Sequence, residues 1–335
     1  MEIHNRRYTG SKFKLCNWIV NLVTSQCSGN SFCDIFSGTS VVSYHLLPFF
    51  NEIILNDFLF SNYVIYKAFY SNSEFDSDKL DCYLKKYSEI NPNHIDDNYL
   101  SENFGGKFFS INDSKIIGHI REDIESNKDN LNEREYNILL ASLLYSSDKV
   151  ANTVGHYDAY IKNKDIKDKF TYKLIKPIDT SGKNIKIYRE DANILSRKIN
   201  SDIVYIDPPY NSRQYSRFYH VLENITKWEK PELEGVVLKP TPENMSEYCK
   251  CNASIVFKDL IDNLQCKYIV VSYNNTYNSK SNSSKNKISL DYIIDILKEK
   301  GETQTFEQSY KFFNTGKTEF KDHKEFIFIT KVGNK

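Results

Sequence analysis

Apolar and polar positions fall into one rhythm at the two ends of this chain and another in its middle. Ser31 to Phe36 (SFCDIF) is a short apolar run ending in Ser37-Gly38-Thr39-Ser40, after which Val41 to Phe50 has helical character and closes near Pro48. This predicts a strand, a tight turn and a helix. Residues 52–56 (EIILN) form a second apolar run with Asp57 at its carboxyl end, and an aromatic-rich helix follows from Leu59 to Tyr70. Together they predict a βαβ unit, hence a parallel sheet covered by helices. Residues 71–183 then lack strong strand signals, while Tyr136, Leu139, Leu140, Leu143 and Leu144 recur at helical spacing, so this stretch reads as a helical insertion. Strands resume at 185–188 (IKIY), 202–206 (DIVYI) and 267–272 (KYIVVS). A helix over 289–299 and a closing β pair, 303–306 with 325–330, complete the pattern. Gly301 reads as the C′ terminator of that helix, and the Ser/Asn/Lys-rich stretch 277–287 as a mobile surface loop.

Composition narrows the class. A chain of 335 residues, 40% hydrophobic and 26% charged, has room for one large domain with an insertion or for two domains, and is neither disordered nor collagen-like. Its apolar runs are far shorter than the ~20 residues of a membrane helix, and MEIHNRRYTGSKFKL lacks the apolar core of a secretory signal, so a cytoplasmic location is expected. Seven cysteines without CxxC spacing and seven histidines without HxxxH spacing read as reduced thiols and no metal centre.

The strongest chemical signal is Asp207-Pro208-Pro209-Tyr210, directly after DIVYI. Ligands of open α/β sheets bind at the carboxyl ends of strands, and two prolines make a rigid turn with fewer backbone donors. An exocyclic amino group on a base is a poor nucleophile with two hydrogens. Asp207 can accept one and the Pro208 carbonyl the other, holding the lone pair toward an incoming methyl group. Tyr210 can stack on a base that has left the duplex. The plain alternative is a Pro-Pro strand exit with a capping aspartate.

Three weaker stretches accompany it. In Asp34-Ile35-Phe36-Ser37-Gly38-Thr39-Ser40, Gly38 permits close backbone approach to a ligand; the alternative is an ordinary βα turn, and the absence of GxGxxG counts against a nicotinamide dinucleotide. Asp57 is placed to accept hydroxyl hydrogens from a ribose. In Arg6-Arg7-Tyr8-Thr9-Gly10-Ser11-Lys12, the aromatic and lysine could hold the methionyl end of a cofactor, or the segment is a basic arm. Asp191, before Ala192, could take the amino group of a cofactor adenine.

Those stretches, in the order RYTGSK, FSGT, NDF, REDA and DPPY, resemble the D12 class of DNA adenine-N6 methyltransferases across nearly the whole chain. The resemblance implies a Rossmann-like α/β, S-adenosylmethionine-dependent methyltransferase fold with a seven-stranded, mostly parallel sheet. The catalytic domain would be 1–70 and 184–335, and the helical insertion 71–183 the target-recognition domain. It implies a cofactor site of Tyr8, Lys12, Asp34, Phe36, Gly38, Thr39, Asp57, Asp191, Ala192 and Asp207, catalysis by Asp207, Pro208, Pro209 and Tyr210, and no metal. The implied partners are double-stranded DNA, methylated at adenine in a specific sequence, and a cognate restriction endonuclease encoded nearby. NSRQYSRFYHVLE and KVANTVGHYDAY resemble the branch with FokI-type modification enzymes. One departure is Ser40, where the FxGxG turn carries a second glycine; serine fits there if φ is negative. A cytosine-N4 or RNA adenine acceptor, or a catalytically silent DNA-binding module, are the competing readings.

Charge points to where nucleic acid would lie. The chain balances 44 Lys+Arg against 44 Asp+Glu, unusual for a protein that holds DNA. The zero conceals segments: residues 160–190 hold nine basic against four acidic residues, and residues 71–107 four lysines against eight acids. Lys162, Lys164 and Lys167 therefore form a candidate DNA face, or a solvated surface. After the tetrapeptide, Arg213, Gln214, Tyr215 and Arg217 are of the types that read base edges or fill the gap left by a displaced base. A buried aromatic cluster competes for this loop and claims Phe218.

Overall fold

In a computed structural model that describes residues 1–163, 165–276, 285–309 and 323–333, the apolar runs pair into one sheet. Its strands are β1 (Ser31–Asp34), β2 (Glu52–Asn56), β3 (Asn184–Tyr188), β4 (Ile203–Ile206), β5 (Tyr268–Asn274), β6 (Gly301–Ser309) and β7 (Lys324–Val332). They lie in the order β3-β2-β1-β4-β5-β7-β6, and the first five are parallel while β7 is antiparallel to both its neighbours. The expected seven-stranded, mostly parallel α/β sheet is therefore what forms. Strand order reverses between β1 and β4, where Asp34 is in register with Tyr205. Open α/β sheets bind ligands outside the strand ends at such a switch point.

Chain contacts separate two compact units. The sheet unit takes Lys12–Phe58, Gly182–Tyr215 and Asn244–Lys335. On one side of the sheet, Cys33, Ile35, Val204, Ile206, Ile269 and Val271 pack with Leu195, Phe257, Leu260, Ile293 and Leu297 of the flanking helices. Full burial of such side chains stabilises by roughly 1.5–3 kcal/mol each before entropy is counted. Helices Cys16–Gln26 and Ala253–Asn263 lie outside the elements expected from the pattern.

The helical unit takes Met1–Ser11, Leu59–Ser181 and Ser216–Glu243, a wider body than the segment 71–183. Its helices Ile111–Ser126 and Glu133–Val150 start at Ser110 and Asn132, which accept from the backbone amides of Asp113 and Glu135. Arginines close helix ends from the other direction. Arg121 donates to the carbonyls of Ile225 and Thr226, and Arg7 to those of Asp148, Ala151 and Thr153.

Gly301 corrects an expectation. It does end the helix Leu290–Lys300, its amide donating to the Leu297 carbonyl, but its φ of 168° is extended rather than the left-handed value of a C′ glycine, and it also opens β6. A Cβ there would meet the Lys331 carbonyl oxygen at 2.0 Å, so glycine is needed for close strand approach. Of the stretch expected to be a loop, 277–284 lies outside the described residues, while Lys287 donates its amide to the Tyr210 carbonyl at 2.8 Å. Among the described residues no helix is long and apolar enough to cross a membrane.

Candidate active site

Four strand ends of the sheet unit converge on one edge. β4 is buried along its length and releases the chain at Asp207, whose side chain is 16% exposed. Lys12 Nζ donates to Asp207 Oδ1 at 2.9 Å and to the Tyr210 hydroxyl at 2.5 Å, and that hydroxyl donates to Asp207 Oδ1 in turn. Both contacts fall on Oδ1, which leaves Oδ2 without a partner among the described residues. The Tyr210 ring packs edge-on against Tyr273 of β5, with centroids 4.7 Å apart. Burial raises the pKa of Asp207 against the opposing pull of Lys12 and Tyr210, and the nearby Glu325 carboxylate raises it further.

Asp34 ends β1 with 1% exposure. Ser43 Oγ donates to its Oδ2 at 2.8 Å, while Oδ1 is buried with no hydrogen-bond partner. Burial pushes its pKa up to about 8, opposed by the Ser43 bond and reinforced by Asp207 and Asp57. The following turn is tied to β2: Ser37 N donates to the Asn56 carbonyl at 2.8 Å, and Gly38 N to Asp57 Oδ2 at 2.9 Å. Gly38 has φ 52°, a conformation that favours glycine. Ser40 does not meet the condition of a negative φ: it sits at φ 53°, ψ 19°, fully buried, and its hydroxyl donates to the Thr39 carbonyl. A left-handed non-glycine residue costs roughly 1–2 kcal/mol. Phe36 is half-buried, edge-on to Tyr248 at 5.1 Å, and Thr39 is buried.

Asn56, the first residue of the NDF stretch but given no role there, laces this edge together. Its amide donates to the carbonyls of Ile35 and Glu190 and its oxygen accepts from Glu190 N, joining the exits of β1, β2 and β3. Only its position as the last residue of a buried strand hints at this. Asp191 caps the helix Ala192–Ser196 through the amides of Asn193 and Ile194, and Ala192 is buried.

The other expected residues are placed as follows. Tyr8, in the helical unit, stacks on Tyr219 with centroids 4.8 Å apart and planes 6° off parallel, under the Arg6 guanidinium. Tyr219 also accepts from Thr9 N at 2.7 Å. Gln214 spends its amide on Ser246, donating to the carbonyl and accepting from the backbone N–H. Arg213 and Tyr215 are half-buried, and Arg217 donates to the Pro240 carbonyl at 2.5 Å. Phe218 is buried, stacked on His156 at 4.5 Å. Lys162 and Lys167 are exposed; Lys164 lies outside the described residues. The structure thus gathers Lys12, Asp34, Gly38, Asp57, Asp207 and Tyr210 in one unit.

An edge bearing the carboxyl groups of Asp34, Asp57, Asp191 and Asp207 beside Lys12 suits a ligand that carries positive charge together with amino and hydroxyl hydrogens. The orphaned Asp34 Oδ1 and unpartnered Asp207 Oδ2 are acceptors such a ligand would fill.

Comparison with known proteins agrees. Residues 8–287 match the family model described as D12 class N6 adenine-specific DNA methyltransferase. The chain is 36% identical over 314 residues to the modification methylase StsI of Streptococcus sanguinis, covering 87% of this chain and 48% of that protein. It is 32% identical over 334 residues to the type II methyltransferase NlaIII of Neisseria lactamica, covering 95% of each. It is 31% identical to the type II methyltransferase FokI of Planomicrobium okeanokoites, covering 96% of this chain and 52% of that one. The chain thus spans about half the length of the StsI and FokI relatives and nearly all of NlaIII.

Proposed function

The chain belongs to the D12 class of N6 adenine-specific DNA methyltransferases, and from that premise we propose that it methylates adenine N6 in a specific sequence of double-stranded DNA. The methyl donor in this reading is S-adenosylmethionine, which supplies an electrophilic methyl group on a sulfonium. Asp34, Gly38, Thr39, Asp57, Asp191 and Lys12 are the groups that would hold it, with Phe36, Ala192 and Tyr8 as apolar or aromatic partners. Carboxylates at successive strand ends suit the amine, ribose hydroxyls and adenine amino group of that molecule.

The observation that carries the reading is Asp207, fixed at the end of β4 with Oδ1 held by Lys12 and Tyr210 and Oδ2 left to accept. Oδ2 takes one hydrogen of the target amino group and the Pro208 carbonyl the other, which keeps the nitrogen lone pair aimed at the methyl group. Asp207 then receives the proton that the nitrogen sheds on methylation. Tyr210 offers its ring to the base, which must leave the duplex stack for its amino group to reach this edge. Residues 71–183 serve target recognition, and Arg213, Tyr215, Arg217, Lys162 and Lys167 contribute DNA contacts. Gln214 joins them only by exchanging its bonds to Ser246.

Relatives named modification methylases and type II methyltransferases support membership of a restriction-modification system, with a cognate endonuclease as a separate partner in the cytoplasm. The test is transfer of labelled methyl groups from S-adenosylmethionine to duplex DNA by the wild type and by Asp207→Ala. The variant is expected to lose at least about a hundredfold in kcat; a rate near wild type would overturn the assignment.

A further inference from the structure

At the edge that carries Asp207, β7 runs against the parallel strands. It is antiparallel to β5, so its first residues lie where β1, β2, β4 and β5 end. Glu325 pairs with Asn274, the last residue of β5, while β4 ends with Ile206 beside Val271. Topology therefore delivers a carboxylate beside the catalytic turn from a strand outside residues 8–287, the span the family model covers.

The Glu325 side chain is 7% exposed and its Oε2 is buried without a hydrogen-bond partner. Oε1 lies 3.5 Å from His323 Nε2. Glutamate is a weak strand former, and a buried carboxylate with an unfilled acceptor costs stability. The strand by itself would be better served by an apolar residue. The charge does reach the catalytic turn, where it raises the proton affinity of both Asp207 and Tyr210. Among the described residues, the charged and titratable groups around Asp207 are Lys12 from the N-terminal segment, Asp34 from β1, Tyr205 from β4, Tyr210 of the turn and Glu325 from β7. His323 faces Glu325 from the residues just before that strand.

We propose that Glu325 is a positioning residue for methyl transfer that acts through Asp207, its negative charge at the head of β7 keeping the catalytic carboxylate a strong acceptor for the hydrogens of the target amino group. This rests on the role of Asp207 given above. A more basic carboxylate binds those hydrogens more tightly and takes the departing proton more readily, in the manner of a tuned general base. Lys12 and Glu325 then act in opposition: the lysine keeps Asp207 ionised and the glutamate keeps it basic.

The experiment is the pH dependence of kcat for DNA methylation, with donor and DNA saturating, for the wild type, Glu325→Gln, Glu325→Asp and Asp207→Asn. Glu325→Gln is expected to lower the alkaline plateau about tenfold and leave the donor KM within about twofold. It is also expected to move the acid limb about half a pH unit or more downward, because losing a nearby negative charge lowers the pKa of Asp207. Glu325→Asp, which keeps the charge, is expected to restore limb and plateau. A lowered plateau with an unmoved limb would mean a structural contact only and would overturn the proposal, as would an unchanged plateau. Should Glu325→Gln not fold, Glu325→Thr, a better strand former, is read the same way. Asp207→Asn working near the wild-type rate would overturn the Asp207 reading and this one with it, whereas an inactive Asp207→Asn beside an unmoved Glu325→Gln limb overturns this one alone.

Discussion

A carboxylate buried as deeply as Asp34 holds its proton longer than an ordinary one, and the consequence is measurable in stability. Burial, helped by Asp207 and Asp57 against the Ser43 bond, pushes it to about 8 in the folded chain. An unfolded aspartate ionises near 4, so between about pH 4 and 8 the folded chain binds a proton that the unfolded chain has released. The stability this group contributes is fully present below that window and is lost as pH rises through it. Asp34→Asn keeps the shape and cannot ionise; its melting temperature is expected to fall less than that of the wild type between about pH 6 and pH 8.5. Equal falls in thermal melts would contradict the assignment. At this scale the sequence was a good guide to position and a poor guide to partners. The strand-end placement of Asp34, Asp57 and Asp207 was readable because each closes a short apolar run. Ser40 adopts the positive φ that a glycine would take, and Gln214, suited to reading a base, bonds Ser246 instead. Both depend on contacts formed by residues distant in sequence.

Among the elements, helix Phe60–Tyr70 shows how one segment is anchored by another. Leu59 at its N-cap has no side chain able to cap it. Glu223, in helix His220–Lys227, supplies the missing acceptor, taking the amides of Phe60 at 3.0 Å and Ser61 at 2.8 Å. Both helices begin shortly after a strand end that carries candidate chemistry, Asp57 for one and the tetrapeptide for the other. Glu223→Ala uncaps the helix and leaves two amides unpaired, so a loss of roughly 1–3 kcal/mol is expected in denaturant unfolding. A change below about 0.5 kcal/mol would show that water replaces the carboxylate without cost. The central strands were legible because each is a short apolar run bounded by turn residues, and β2 spans the expected residues 52–56. Glu325 was visible as a strand residue but not as part of the edge, since only the antiparallel placement of β7 brings it there. Gly301 was legible as the end of the helix, but its need for glycine comes from Lys331 across the sheet.

For the whole molecule, zero net charge no longer argues against a polyanionic partner. Exposed Lys162 and Lys167 sit in a segment whose basic residues outnumber its acids, while the compensating acids lie in residues 71–107. On the proposed function, long-range attraction to DNA is expected to be modest, with local phosphate contacts carrying the salt dependence. Replacing Lys162 and Lys167 by Gln is expected to reduce the slope of log affinity against log salt by about 1–2 and to leave donor affinity unchanged. An unaltered slope in binding titrations would place the DNA face elsewhere. The seven-stranded, mostly parallel sheet and the family were readable through the resemblance that the motif order carries; that residues 1–11 and 216–243 pack within the helical unit was not, because no motif records that packing. The account as a whole stands on the acceptor atom. Duplex DNA incubated with this protein and labelled S-adenosylmethionine, then digested to nucleosides, is expected to carry its label in N6-methyladenosine of the deoxy series. Label in N4-methylcytosine, label accepted only by RNA, or no label in any nucleoside would contradict it.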